Sequence, residues 1–200
     1  PEDHYNCRSG YYGSVLSGAY GGVLAGFEGC WGANIEEGAR YHIWDTMTFP
    51  VSYQVRYVRD FLLSEGTRYQ ELIPCADLVT PNKAGDPYGY RGWAFASATP
   101  ERDLIMGYME KDCPRTALRG LRPYERFLFS WFDPCNGTFQ EETELCVNCV
   151  GMIPLPACPK DQDWAFKLKK ILEPYRIDAS EHPKTCWEEY VKQKAGDGTC

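Results

Sequence analysis

Three kinds of side chain in this sequence carry chemistry beyond packing: thiols, a small set of carboxylates among aromatics, and one acceptor of N-linked sugar. Ten cysteines stand in 200 residues, namely Cys7, Cys30, Cys75, Cys113, Cys135, Cys146, Cys149, Cys158, Cys186 and Cys200. Reducing compartments keep thiols unpaired, so this density and the even count predict a disulfide-bonded, secreted or extracellular chain. Spacing does not give the connectivity. Cys146-Val147-Asn148-Cys149 has the CxxC form of half a zinc site or a redox pair. No second CxxC and no βαβ pattern accompanies it, and Cys135 and Cys158 lie nearby, which favours structural bridges.

Asn136-Gly137-Thr138 is an N-glycosylation sequon set in a turn, where a bulky sugar is tolerated. Glu28, Glu36, Glu37 and Asp45 share residues 27–48 with Trp31, Tyr41 and Trp44. Flat aromatic faces pack on pyranose rings, which makes Trp31, Tyr41 and Trp44 candidates for one wall of a sugar cleft; the plain alternative is an aromatic core under a loop. The four carboxylates have no identified partner and read as solvated loop residues. His4, His42 and His182 are scattered without ligand spacing, so neither a metal nor a cofactor is predicted. Ser14 and Ser17 lack a nucleophile elbow such as GxSxG.

A net charge of −7 argues against a phosphate-binding surface and hence against nucleic acid as a partner. Lys167, Lys169 and Lys170 alternate with Phe166 and Leu168 and read as a solvated face. No apolar run is long enough for a membrane span. The sequence opens on Pro1-Glu2-Asp3, with neither an initiator Met nor a leader peptide, so an upstream segment is expected.

The elements that must position these groups fall into two styles. Residues 5–20 mix aliphatic and tyrosyl side chains with Gly10, Gly13, Ser14, Ser17 and Gly18, the pattern of a helix docked closely on a neighbour. Gly21-Gly22 stops it, residues 23–26 read as a short buried strand, and residues 27–48 as a loop. Pro50 begins a helix in which Val51, Val55, Val58 and Leu62 recur at helical spacing up to Gly66. From Trp93 the pattern changes to short strands at 93–97, 104–110, 126–132 and 164–168, whose spacing suggests an antiparallel β-sandwich, with Trp131 and Trp164 in its interior. A boundary falls within 66–90, among Pro74, Pro81, Gly85, Pro87 and Gly89.

Several segments together resemble one family. Arg8 to Trp31, RSGYYGSVLSGAYGGVLAGFEGCW, resembles the helix, strand and loop that close the (β/α)8 barrel of apiosidase-like glycoside hydrolases. Val55 to Val79, VRYVRDFLLSEGTRYQELIPCADLV, is similar to their last barrel helix and its exit. RGWAFASATPERDLIMGYM, FSWFDPCNGTF and CPKDQDWAFKL resemble the β-rich C-terminal domain of the same proteins, for which a collagen-binding label is in use. The resemblance implies an α/β plus β chain. Residues 1–80 would be the C-terminal segment of a TIM-barrel-like domain, 85–172 a β-sandwich, and 173–200 a disulfide-tethered tail.

Glycoside hydrolysis needs two carboxyl groups at strand ends of the barrel, and the resemblance puts both upstream of Pro1. No residue here inherits a catalytic role. Gly21-Gly22 also stands where the family has a Gly-His pair, which weakens substrate contact through this loop, although Trp31 is retained. The expectation is a secreted glycoside-hydrolase-like glycoprotein portion, non-catalytic on its own, with a structural or carbohydrate-binding role. The alternative is part of an active secreted glycosidase. Either way an upstream barrel segment or another subunit is expected to cover residues 5–65.

The sequon yields a direct test. Native material should carry an N-glycan on Asn136, seen as a mass shift on peptide:N-glycosidase treatment; an unmodified Asn136 would argue against both the compartment and the exposure of that turn.

Overall fold

Alternation at every second residue builds the sheet of this protein and gives it two buried faces. In a computed structural model, residues 5–23, 35–82, 92–113 and 116–172 are described. The helices are α1 (Tyr5–Leu16), the single turn α2 (Ile43–Thr46) and α3 (Pro50–Leu62). Beyond α3 the chain continues as 3-10 turns over Leu63–Glu71, broken at Glu65 and at Gly66, whose φ is +64°. The strands are β1 (Ile73–Pro74), β2 (Val79–Thr80), β3 (Ala94–Ala98), β4 (Leu104–Met109), β5 (Ala117–Leu118), β6 (Arg126–Asp133), β7 (Thr138–Phe139), β8 (Thr143–Cys146), β9 (Ile153–Pro154) and β10 (Trp164–Lys170).

Seven of them form one antiparallel sheet in the order β1-β3-β4-β10-β6-β7, with β8 also pairing with β6. The last strand is therefore central: β10 pairs with β4 through Trp164↔Met109 and with β6 through Phe166↔Trp131. A smaller sheet runs β2-β5-β9. Successive side chains of a strand point to opposite faces. On one face of the large sheet, Ile105, Phe127, Phe129, Trp131, Trp164 and Phe166 share a core with Leu78, Val79, Leu118 and Ile153 from around the small sheet. On the other face, Leu104, Met106, Tyr108, Phe132 and Ala165 share a core with Tyr12, Leu16, Val58 and Phe61 of α1 and α3. The molecule is thus mixed α and β, in three layers, with antiparallel sheets.

Small residues permit the close contacts between layers. Gly13 lies where a Cβ would come within 3.0 Å of the Phe95 ring, so α1 seats directly on β3. The end of α1 is tied down as well: Ser97 Oγ donates to Leu16 O at 2.7 Å. Gly107 pairs across the ladder with Phe166, whose ring occupies the space a methyl at 107 would need. The four main strands and α3 lie where the sequence pattern puts them.

Three expectations are corrected or bounded. The 27–48 loop contains α2, because Asp45 reaches back to the His42 N–H at 3.0 Å and closes a helical turn. Lys167 is not solvated: it is buried, and its Nζ donates to Glu65 Oε1 at 2.8 Å. Strand alternation sends Lys167 to the helix side, where the kink after α3 supplies the carboxylate. Val23 lies outside any strand, and the rest of the expected 23–26 strand lies outside the described residues, as do Trp31 and the 173–200 tail. The apolar faces of α1 and α3 lie against the sheet, whereas Ile35, Trp44, Met47 and Tyr53 are exposed, so a further partner would have those to cover.

Gly107→Ala should destabilise the fold by about 1–3 kcal/mol through overpacking against Phe166. Gly10→Ala, with nothing within 4 Å of its added Cβ, should stabilise by about 0.5–1 kcal/mol as helix propensity rises. Urea unfolding of the two variants measures both, and equal effects would contradict this packing.

Candidate functional site

An arginine on the first helix and an aspartate just ahead of the last strand fix α1 on the sheet. Arg8 Nε donates to Asp163 Oδ2 at 2.9 Å and its Nη2 to Asp163 Oδ1 at 2.7 Å, a bidentate pair with 2% and 1% of the side chains exposed. Arg8 Nη1 donates to Gln54 Oε1 of α3 at 3.0 Å, and Tyr108 Oη of β4 donates to Asp163 Oδ2 at 2.8 Å. Gln54 Nε2 then reaches Cys135 O in the β6–β7 turn at 3.3 Å. The planar guanidinium and carboxylate match in shape, and the extra donors satisfy oxygens that burial would otherwise strand. Burial, followed by the nearby Asp163 charge, pushes the Tyr108 phenol well above its usual range, so it remains a donor.

This junction sets the shape of a groove along the outer side of α1. The groove encloses about 770 Å³ and is lined by Ser9 and Gly13 of α1 together with Trp93, Phe95 and Glu110. Trp93 and Phe95 stack with centroids 6.3 Å apart and planes 21° from parallel, making an aromatic wall. Glu110 is buried, with Oε1 accepting from Ser9 Oγ in a short hydrogen bond and Oε2 accepting the Trp93 N–H at 3.0 Å. Among the described lining residues Glu110 is the single carboxylate. Glycoside hydrolysis takes two carboxyl groups, and the described lining supplies one.

The sequence-derived aromatics lie elsewhere. Trp44 is 53% exposed and stacks on His42, with ring centroids 4.6 Å apart and planes 6° from parallel. Tyr41 meets Phe49 edge to face at 5.3 Å, and Arg40 lies over the Tyr41 ring at 5.2 Å. Tyr41 and Trp44 are thus brought into one turn, while Trp31 and Glu28 are outside the described residues. Glu36 and Glu37 are exposed, and Asp45 serves as the His42 cap. Trp131 and Trp164 are core residues. Ser14 is exposed on α1 and Ser17 is exposed in the turn just after it. His42 is the sole described histidine, and no group of three metal-ligating side chains occurs among the described residues.

Asn136 is exposed in the β6–β7 turn, with Nδ2 donating to Asp133 Oδ2 at 2.8 Å. Cys7, Cys75, Cys113, Cys135, Cys146, Cys149 and Cys158 are all unlinked thiols in the structure; Cys30, Cys186 and Cys200 lie outside the described residues. No described helix is long and apolar enough to cross a membrane. Sequence reading missed both the Arg8–Asp163 junction and the groove. The first has no local signature at all, whereas Trp93 and Phe95 were visible as an alternating pair on a strand.

A second ion-paired group ties the end of α3 to β10. Glu65 receives Lys167 at 2.8 Å and Lys169 at 3.0 Å. Burial works against the Glu65 carboxylate, but these hydrogen bonds and charges outweigh it and hold its pKa below the usual value.

No protein-family model matches this sequence, and no curated protein does. Among solved structures, a chain described as a glycoside hydrolase aligns with a TM-score of 0.64 at 17% identity, over 86% of this chain and 38% of that one. A glycoside hydrolase family 5 protein from Bacteroides vulgatus ATCC 8482 aligns with a TM-score of 0.43 at 16% identity, over 67% of this chain and 27% of that one, too little similarity to carry weight. The first likeness gives the chain a glycoside-hydrolase-like fold, of which it spans 38% of the matched length.

Arg8→Met should cost about 3–5 kcal/mol by leaving Asp163 buried and unpaired, and adding Asp163→Leu should recover part of it. Thermal unfolding of the single and double variants decides this. The Glu65 pKa is depressed in the folded state, so its contribution is present above the ordinary glutamate value and lost as pH falls through the folded value. Glu65→Gln should accordingly flatten the acid side of the stability profile.

Proposed function

We propose that this chain is the C-terminal portion of a secreted, apiosidase-like glycoside hydrolase assembly, non-catalytic by itself, with a structural or carbohydrate-binding role. In this reading residues 1–80 close a (β/α)8 barrel, and 85–172 form a β-sandwich behind it. The observation that carries it is the likeness to a glycoside hydrolase across 86% of the chain, combined with a groove whose described lining offers aromatic faces but a single carboxylate. Stacking on an apolar ring face and hydrogen bonding to hydroxyl groups are how aromatic and acidic side chains hold a sugar, and both are present beside α1. Trp44 and Tyr41 form a second candidate wall at the 41–44 turn, and Trp31, outside the described residues, is the third aromatic assigned to it from the sequence. Its exposed apolar residues are where an upstream barrel segment or another subunit would sit.

The ratio of lengths favours a second reading alongside the first. Because the matched glycoside hydrolase is covered over 38% of its chain, the carboxylate pair of an active enzyme would belong to an upstream region, and this chain would complete its barrel.

Affinity electrophoresis against a panel of plant and algal glycans tests the binding reading. The chain should be retarded by at least one glycan without releasing sugar. Trp93→Ala should abolish the retardation if the α1 groove is the site, and Trp44→Ala if the 41–44 turn is. Release of sugar by the 200-residue chain alone would overturn the non-catalytic assignment.

A further inference from the structure

We propose that Cys113 and Cys158 are disulfide partners, joining the end of β4 to the segment that leads into β10. The pairing rests on the oxidised, secreted reading given above and goes beyond it by naming which thiols meet.

Two segments are held together on either side of these sulfurs. The β4–β10 ladder ends at Met109↔Trp164, and beyond it the chain turns, with the Cys113 N–H donating to Glu110 O at 2.9 Å. On the opposite strand, Trp164 Nε1 donates to Lys160 O at 3.1 Å, which fixes the approach to β10. Lys111 Nζ and Asp161 Oδ2 bridge the two segments at 3.1 Å. Between them lies a cavity of about 360 Å³ whose walls include Met109, Cys113, Pro156, Cys158 and Gln162. Both cysteines thus line one open cavity, with the chain on either side of it joined by the ladder and by the Lys111–Asp161 pair. Cys113 also packs against the main core, while Cys158 is at the surface.

The thiols are also electrically in contact. Burial, reinforced by the neighbouring Cys158 and by Glu110, pushes the Cys113 thiol up to about 12. Burial raises Cys158 too, against a lowering backbone hydrogen bond. Oxidation would join the two thiols into one neutral group and remove the Cys158 charge that Cys113 meets. The attacking species is a thiolate, so the exposed Cys158 reacts first. Its thiolate attacks a small disulfide such as oxidised glutathione, expelling one thiolate that takes up a proton. Cys113 then gives up its proton and attacks the mixed disulfide at the Cys158 sulfur, expelling the second. Two protein thiols are oxidised, and one small disulfide is reduced to two thiols.

The test uses the full 200-residue chain, equilibrated with oxidised glutathione, alkylated and then cleaved with trypsin and cyanogen bromide. Those cuts isolate Cys113 in peptide 112–115 and Cys158 in peptide 153–160, each with a single cysteine. The expected product is those two peptides joined, with mass lower by two hydrogens than their sum. Oxidised protein should also unfold at a temperature higher than reduced protein by on the order of 5–10 °C, and Cys158→Ser should lose the part of that difference due to this bridge. Alkylated Cys113 and Cys158, or either one bridged elsewhere, while other cysteines are paired overturns the pairing alone. Alkylation of all ten cysteines in native material overturns the pairing and the oxidised-compartment reading together.

Discussion

Burying Arg8 against Asp163 is the constraint on which the rest of this structure depends. Neither charge is affordable in the interior alone, and the pair is completed by the hydrogen bonds of Gln54 to Arg8 and of Tyr108 to Asp163. Arg8 comes from α1, Gln54 from α3, Tyr108 from β4, and Asp163 directly precedes β10. One ion pair therefore holds both main helices to the two middle strands and, through Gln54 and Cys135, to the turn that bears the sequon. Hydrophobic burial would let α1 lie on the sheet in several registers; the bidentate geometry selects one. The depth and width of the α1 groove follow from that selection, since Ser9 is the next residue and already touches Glu110.

What could be read in the sequence was what repeats at short range. α3 declared itself through Pro50 and the Val51-Val55-Val58-Leu62 spacing, and β3, β4, β6 and β10 through alternation or aromatic runs. The two-residue strands of the small sheet carry too few positions to show a period, and Lys167 looked solvated because its partner, Glu65, is more than a hundred positions away. The Arg8–Asp163 junction was hidden for the same reason, its members being 155 positions apart. Charge pairs of this separation have no pattern until the fold exists. Of the candidate site, Trp44 and Asn136 are exposed, while the Trp93–Phe95 wall escaped the sequence reading, which saw only a strand there, because a wall beside a neighbouring helix is a tertiary fact.

Polar chemistry in this protein is concentrated where helices meet the sheet. Glu110, Asp163 and Lys167 are all buried at that layer boundary, and each has a partner on a different element. The opposite boundary, between the two sheets, is built from Phe, Trp and aliphatic side chains. The α1 groove on the helix side is thus backed by an apolar slab, which keeps the aromatic wall and the Glu110 carboxylate in place.

The position of β10 also governs how the protein can be made. β4 and β6 leave the ribosome with facing edges unpaired, and the strand that fills the gap is completed only at Lys170. Until then the nascent chain carries two open edges flanked by Tyr108, Phe129 and Trp131, a template for pairing with other copies. Premature termination before residue 164 would remove β10 and leave the facing edges of β4 and β6 without the strand that joins them.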